Sequence, residues 1–312
     1  MSFAFARTEE AEKSQASKPL PTFADVPYGS HERQILDFWQ APSTDKPAPV
    51  VFYMHGGAWS NGDKRGAPGV ETYLKAGISV VSINYRFVRQ ARAAKVMPPV
   101  EWPMHDAKRA LQFVKSKSEE WNIDKQRIAV AGNSAGACTM LWLTLHDDMA
   151  DPSSNDPVAR ESTIPFCAAV DAAQTTLDPQ QMVEWTPNSI YGYHAFGFHS
   201  GSGYELRKAT FAKFVEQRDT VLQWIKEYSP YEHASKGDPS VYLYYSNRPN
   251  VGQPQKDPTH TANFGVKLKE RLDELGVPCE LVYLGAKDVK HPTVRDYIIA
   301  KLAPADAEAS GR

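Results

Sequence analysis

Three runs, "VVFYM" at 50–54, "ISVVSINY" at 78–85 and "RIAVAGN" at 127–133, are apolar with little alternation. A strand with one wet face alternates apolar and polar residues. Unbroken apolar runs predict strands covered on both faces, which is the habit of parallel sheets. Parallel neighbours need a crossover between them, and the intervening sequence supplies helices. "GVETYLKAG" reads as a short helix ending at Gly77. "HDAKRALQFVKSKSEEW" spaces Ala107, Ala110, Leu111 and Val114 along one helical face, followed by Trp121. "SAGACTMLWLTLH" is apolar all round, as a central buried helix would be. "FCAAVDA", "SVYLYYS" and "CELVYLG" continue the strands. "ANFGVKLKERLDELG" is an amphipathic helix through Phe264, Leu268, Leu272 and Leu275 that stops at Gly276, and "TVRDYIIAKL" is the last helix. Upstream, "FADVPYG" and "RQILDFWQA" read as two strands near a sheet edge, joined by a turn at Gly29-Ser30. The alternation predicts an α/β fold: a mostly parallel central sheet with helices on both faces.

One segment breaks the rhythm. Residues 178–230, between two predicted strands, are rich in aromatic residues and glycine. So long an insertion is usually functional, and it is expected to act as a helical, aromatic-rich cap. The folded domain is expected over 22–303, with polar tails at 1–21 and 304–312. Net charge is −2 with no long basic or acidic block, so nucleic acid and anionic membranes are not expected partners. The apolar runs are too short to span a bilayer. No apolar leader segment is visible at the N-terminus, so a cytoplasmic location is expected. Cys138, Cys167 and Cys279 are odd in number and widely spaced, which reads as buried thiols and not as a disulfide framework or a zinc site. No metal and no cofactor are expected, and the sequence does not specify an oligomeric state.

The chemistry begins at "GNSAG", Gly132 to Gly136, set between a predicted strand and a predicted helix. This is G-x-S-x-G in the context the motif requires: a tight strand-to-helix turn with Ser134 exposed at its tip. The helix that follows aims its positive end at the serine. A serine attacking a carbonyl creates an oxyanion, and backbone N–H groups must wait for it. "HGGAW", His55 to Trp59, directly follows the "VVFYM" strand. Two adjacent glycines there let the backbone bend and approach closely. Gly56, Gly57 and Ala58, with the N–H of Ala135, are the expected oxyanion hole.

"HGGAW" followed by "GDK", "INYR" at 83–86 and "GNSAG" together resemble the hormone-sensitive-lipase-like and feruloyl-esterase-like carboxylesterases over about residues 22–303. The resemblance implies an α/β-hydrolase fold, a Ser–Asp–His triad in that chain order, no cofactor and a small-molecule ester substrate. It places the histidine after the last strand, where His291 is the only one. It places the acid after "SVYLYYS"; the first acid there is Asp257, and Asp288, three residues before His291, is the alternative. Asn247 lies nearer the strand end but carries no charge. His260, in "DPTHTANFG", is expected to line the site or cap the helix, with pairing to a different acid a further option. Trp59 and Trp185 are expected substrate contacts, and Tyr191, His194 and Phe196 are further candidate walls. His55 is expected to hold the oxyanion turn as a neutral imidazole, and Arg86 and Asp106 to form a buried pair.

The expected function is therefore a serine carboxylesterase acting on short-chain or carbohydrate-linked esters. "HGGxW" also resembles arylformamidases, which would cleave an amide with the same parts. A serine exopeptidase would need a preceding propeller or comparable gate, which the sequence does not show. A non-catalytic hydrolase-fold binding protein would usually have lost the serine or the histidine.

Overall fold

Alternate residues of one strand feed two different cores. In β3 (Ala48–Met54), Val50, Phe52 and Met54 enter one apolar cluster and Val51 enters another on the opposite face. The chain is described by a computed structural model that covers residues 18–42, 46–199, 201 and 203–303. Its sheet has eight strands in the order β1-β2-β4-β3-β5-β6-β7-β8. The others are β1 (Phe23–Pro27), β2 (Ile35–Trp39), β4 (Ser79–Ile83), β5 (Ile123–Asn133), β6 (Cys167–Asp171), β7 (Ser240–Tyr245) and β8 (Cys279–Tyr283). β1 and β2 pair antiparallel, as does β2 with β4; every pairing from β4 through β3 to β8 is parallel. The unbroken apolar runs thus occupy the doubly covered interior, as their pattern predicts.

The helices are α1 (Val70–Lys75), α2 (Val88–Ala93), α3 (Glu101–Ser116), α4 (Ala135–Leu145), α5 (Pro179–Trp185), α6 (Tyr204–Glu216), α7 (Leu222–Tyr228), α8 (Pro230–His233), α9 (Asn263–Leu275) and α10 (Val294–Leu302). α1 and α10 cover one face of the sheet through Val70, Tyr73, Tyr297, Ile298 and Leu302. α3, α4 and α9 cover the other. Every residue of α4 is buried, which explains why its sequence has no polar stripe. No helix among the described residues is long and apolar enough to cross a membrane. All three cysteines are free, and burial raises their thiols.

Most of both expected tails, 1–17 and 304–312, lies outside the described residues. Residues just before 22 are held, however. The Trp39 indole N–H donates to the Pro19 carbonyl at 2.7 Å, and Lys18 Nζ lies 4.5 Å from the Trp39 ring centre.

The 178–230 segment forms α5, α6 and α7, but its aromatic residues do not behave as a detached cover. Trp185, Phe196 and Phe214 belong to the same cluster as α4 and β3. Trp185 is 3% exposed and meets Tyr231 and Phe264 edge-on, with ring centres 5.2 and 6.3 Å away. This corrects the expectation that Trp185 touches substrate: its indole is used up against α8 and α9. Trp185→Ala is therefore expected to lose about 3–5 kcal/mol of stability through the cavity it leaves. Chemical denaturation read by fluorescence checks this, and the ranking of ester substrates should stay as in the wild type.

Candidate active site

β5 ends at Asn133 and α4 begins at Ala135, so one residue must turn the chain. That residue is Ser134, at φ 51° and ψ −120°. A non-glycine residue held there costs on the order of 1–3 kcal/mol and persists only because its surroundings enforce it. The Ser134 N–H bonds to the Asp171 carbonyl at 3.0 Å, and its own carbonyl accepts from Cys138 N–H at 2.9 Å, starting the helix. The small residues of the motif have a steric cause. A Cβ on Gly136 would lie 2.2 Å from the Met54 carbonyl oxygen, so a side chain here would push α4 off β3.

The His-Gly-Gly turn faces this serine. Gly57, Ala58 and Trp59 carry φ of 101°, 51° and 51° in succession. Left-handed backbone of this kind turns successive N–H groups toward one side, where an anion can be held. The Gly57 carbonyl accepts from Ser60 and Asn61, which closes the turn without using the N–H of Gly57 or Ala58. The Ala135 N–H, at the start of α4, has no intrahelical partner by construction. Gly56 approaches so closely that an added Cβ would lie 3.2 Å from the Ser134 Cβ. His55 secures the turn from below: its Nδ1–H donates to the Gly56 carbonyl at 2.8 Å, and its ring stacks on Tyr85 at 4.4 Å. Burial lowers its pKa, so the ring is neutral. Arg86 and Asp106 form the anticipated pair, at 2.6 Å with Asp106 1% exposed.

The histidine at the serine is His260. Its Nε2 lies 3.0 Å from Ser134 Oγ, and its Nδ1 lies 2.9 Å from Asp257 Oδ2. A carboxylate only accepts, so Nδ1 carries the proton and donates. Nε2 is then the lone-pair nitrogen and accepts from the serine hydroxyl. Asp257 and His260 share one tight turn, in which Asp257 Oδ1 also accepts from the N–H groups of Thr259 and His260 at 3.1 and 3.2 Å. Burial opposes the Asp257 charge, but the His260 bond and these two N–H groups outweigh it and lower its pKa.

This arrangement corrects the expected pairing of Ser134 with His291. The loop after β8 turns back along the strand, and His291 Nδ1 bonds Glu280 Oε2 at 2.8 Å. The His291 carbonyl accepts from the Tyr242 hydroxyl at 2.7 Å, and its ring meets Tyr297 edge-on. Glu280 pairs in register with Tyr242, low on β7 and away from the carboxyl end of the sheet where Ser134 stands. Asp288 is exposed in the same loop. Trp59 is corrected too: it is fully buried, with its N–H on Thr139 Oγ1 at 3.0 Å. The signal missed was the Asp-x-x-His spacing itself, which lets one turn carry both acid and base. Glu280 gave no signal, because only strand register brings it to His291.

A cavity of about 490 Å³ lies on the α1/α10 side of the sheet, lined in part by Asn133, Asp171, Tyr53 and Tyr244; neither Ser134 nor His260 lines it. Burial raises the Asp171 pKa there, opposed by the Asn133 bond. Among the described residues one trio of possible metal-ligating side chains lies close together, His146, Glu227 and His233. It sits beyond the far end of α4 and takes no part at Ser134. Burial opposes the His146 charge, but its bonds to Glu227 and to the Asp147 carbonyl prevail and raise its pKa.

The profile of the BD-FAE family matches residues 36–257, well over half of the chain. The chain belongs to the BD-FAE family. The mostly parallel sheet with helices on both faces is the α/β-hydrolase fold, which solved esterase structures share. A carbohydrate esterase from gut microbiota superimposes with a TM-score of 0.64 at 18% identity, covering 90% of this chain and 95% of that one. An acetyl ester-xyloside bifunctional hydrolase from Caldicellulosiruptor lactoaceticus gives 0.60 at 20% identity, covering 86% and 87%. By sequence, the chain is 35% identical over 157 residues to LipM of Mycobacterium tuberculosis, a probable carboxylic ester hydrolase, covering 47% of this chain and 34% of that protein. The matched stretch spans about a third of the length of these curated relatives.

Proposed function

We propose that this BD-FAE family member is a serine carboxylesterase that works through an acyl-enzyme. One observation carries the reading: the hydrogen-bonded series Ser134–His260–Asp257, at 3.0 and 2.9 Å, beside a left-handed turn whose Gly57 and Ala58 N–H groups donate to no backbone carbonyl among the described residues. His260 Nε2 takes the Ser134 proton as Oγ attacks the ester carbonyl. The oxyanion is held by the N–H groups of Gly57, Ala58 and Ala135, each worth about 10²–10³ in rate. His260 then returns the proton to the departing alcohol. Water, deprotonated by the same nitrogen, attacks the acyl-serine, and Ser134 is regenerated as the acid leaves. Asp257 holds the Nδ1 proton and balances the imidazolium charge. The names of the relatives support ester hydrolysis, and those of the structural neighbours favour acetyl or carbohydrate-linked esters as substrates.

A panel of p-nitrophenyl esters from acetate to decanoate, run beside acetylated xylan and with a fluorophosphonate label on Ser134, tests the reading. No label and no turnover would overturn it. Within it, Asp257→Asn is expected to cut kcat by about 10²–10⁴, because the imidazolium loses its counter-charge and its preferred tautomer. Asp288→Asn, at an exposed loop position, is expected to stay near wild type. Steady-state kinetics on p-nitrophenyl acetate compares the two variants directly.

A further inference from the structure

A smaller cavity, about 290 Å³, opens beside the oxyanion turn. Ala58 and Ser60 of the turn form one side, α2 a second, and the insertion the third. The cavity therefore begins at the backbone that is to hold the substrate carbonyl. Its charged and basic groups are one-sided: Arg92, Arg207 and His199 line it together with the Tyr191 side chain, and no carboxylate does. Neither Arg92 nor Arg207 has an ion-pair partner among the described residues; Arg33, Arg89, Arg160, Arg248, Arg271 and Arg295 lack one too, but Arg92 and Arg207 share one cavity. Arg92 donates to His199 Nδ1 at 2.6 Å, so the other nitrogen of that ring carries the proton and is a donor. Tyr191 is 5% exposed, and its hydroxyl has no hydrogen-bond partner. His194 Nε2 is likewise unpartnered, but this ring is neutral, since burial pushes its pKa down to about 4, and it bonds the Ala58 backbone. Two guanidinium groups without ion-pair partners in one recess that reaches Ala58 of the oxyanion turn have a chemical complement. Their planar forks match an oxyanion such as a carboxylate.

We propose that this recess is an anion subsite and that the ester substrate carries a carboxylate a few bonds from its reacting carbonyl. The inference rests on the esterase reading and adds the charge of the substrate to it. The carboxylate can belong to the acyl half, as in a dicarboxylic acid monoester, or to the alcohol half, as in an ester of a hydroxy acid or a sugar acid.

The test compares matched esters. p-Nitrophenyl hemisuccinate against p-nitrophenyl butyrate probes the acyl half, and carboxymethyl butyrate against propyl butyrate probes the alcohol half. The wild type is expected to favour the charged member of one pair by about tenfold or more in kcat/KM, the strength of a charge-assisted bond. That ratio is expected to fall at least about fivefold in Arg92→Gln and in Arg207→Gln, and to shrink as salt screens the charge. Binding of succinamate against butyramide, read by calorimetry on the full chain, scores the recess without catalysis. A chain that turns over no ester sinks the esterase reading, and the calorimetry still decides the subsite. No preference for the charged member in either pair, with succinamate binding no tighter than butyramide, overturns the proposal. A preference that survives in both arginine variants overturns it as well.

Discussion

His260→Ala is expected to lower kcat on p-nitrophenyl acetate by at least about 10³, while His291→Ala stays within a few-fold of wild type. The contrast follows from which imidazole can reach the serine proton. His260 Nε2 stands 3.0 Å from Ser134 Oγ, with Asp257 fixing its other nitrogen. His291 gives its Nδ1 to Glu280 and lies against Tyr297. Removing His291 should instead cost stability. Glu280 loses its partner and Tyr297 loses a ring contact, together about 1–3 kcal/mol. Both variants should be purified and their melting curves compared before kinetics. If His291→Ala is the dead enzyme and His260→Ala the active one, the loop after β8 moves in solution, and the site has been assigned to the wrong turn.

Ser134→Ala is expected to lower kcat by a factor of about 10³ or more and to abolish fluorophosphonate labelling. What remains is the stabilisation the oxyanion donors give to attack by water. Folding should be unharmed. Alanine fits the space of serine, and the turn is held by backbone bonds to Asp171 and Cys138 that the substitution leaves intact. Alanine at φ 51° is strained much as serine is, so the melting temperature should hold to within a few degrees. Losing the buried hydroxyl also leaves His260 Nε2 without its partner, and water can take that place because the histidine is only partly buried. Ester turnover within tenfold of wild type in Ser134→Ala would end the serine mechanism.

Combined, Ser134→Ala and His260→Ala should cost little more than either alone. The two groups act as one unit, and once the hydroxyl is gone there is no serine proton for the imidazole to take. Additive losses in the double variant would show that the two side chains act separately.

The fold was legible because its signals are local. Short unbroken apolar runs bounded by turn residues suit strands covered on both faces, and "GNSAG" between strand and helix leaves Ser134 at the one residue that must turn. The same holds for the His-Gly-Gly turn, where an added Cβ at Gly56 would lie 2.7 Å from the Asn133 carbonyl oxygen beside Ser134. The sequence also held Asp257, as the first acid after the β7 strand.

The choice between His260 and His291 was not local. Each lies in a loop after a strand at the right end of the chain, and nothing in either segment states where its imidazole points. That is decided by β8, whose register against β7 sets Glu280 opposite Tyr242 and so draws His291 down the sheet. Trp185 shows the same limit. An aromatic residue bound for a core and one bound for a pocket look alike in sequence, and only the approach of α8 and α9 fills the space around this one. Composition and periodicity fix which segments become strands and helices, because those depend on neighbours within a few residues. The partner of a polar side chain is fixed by contacts across the sheet, between residues far apart in the chain, and these exist only once the chain has folded.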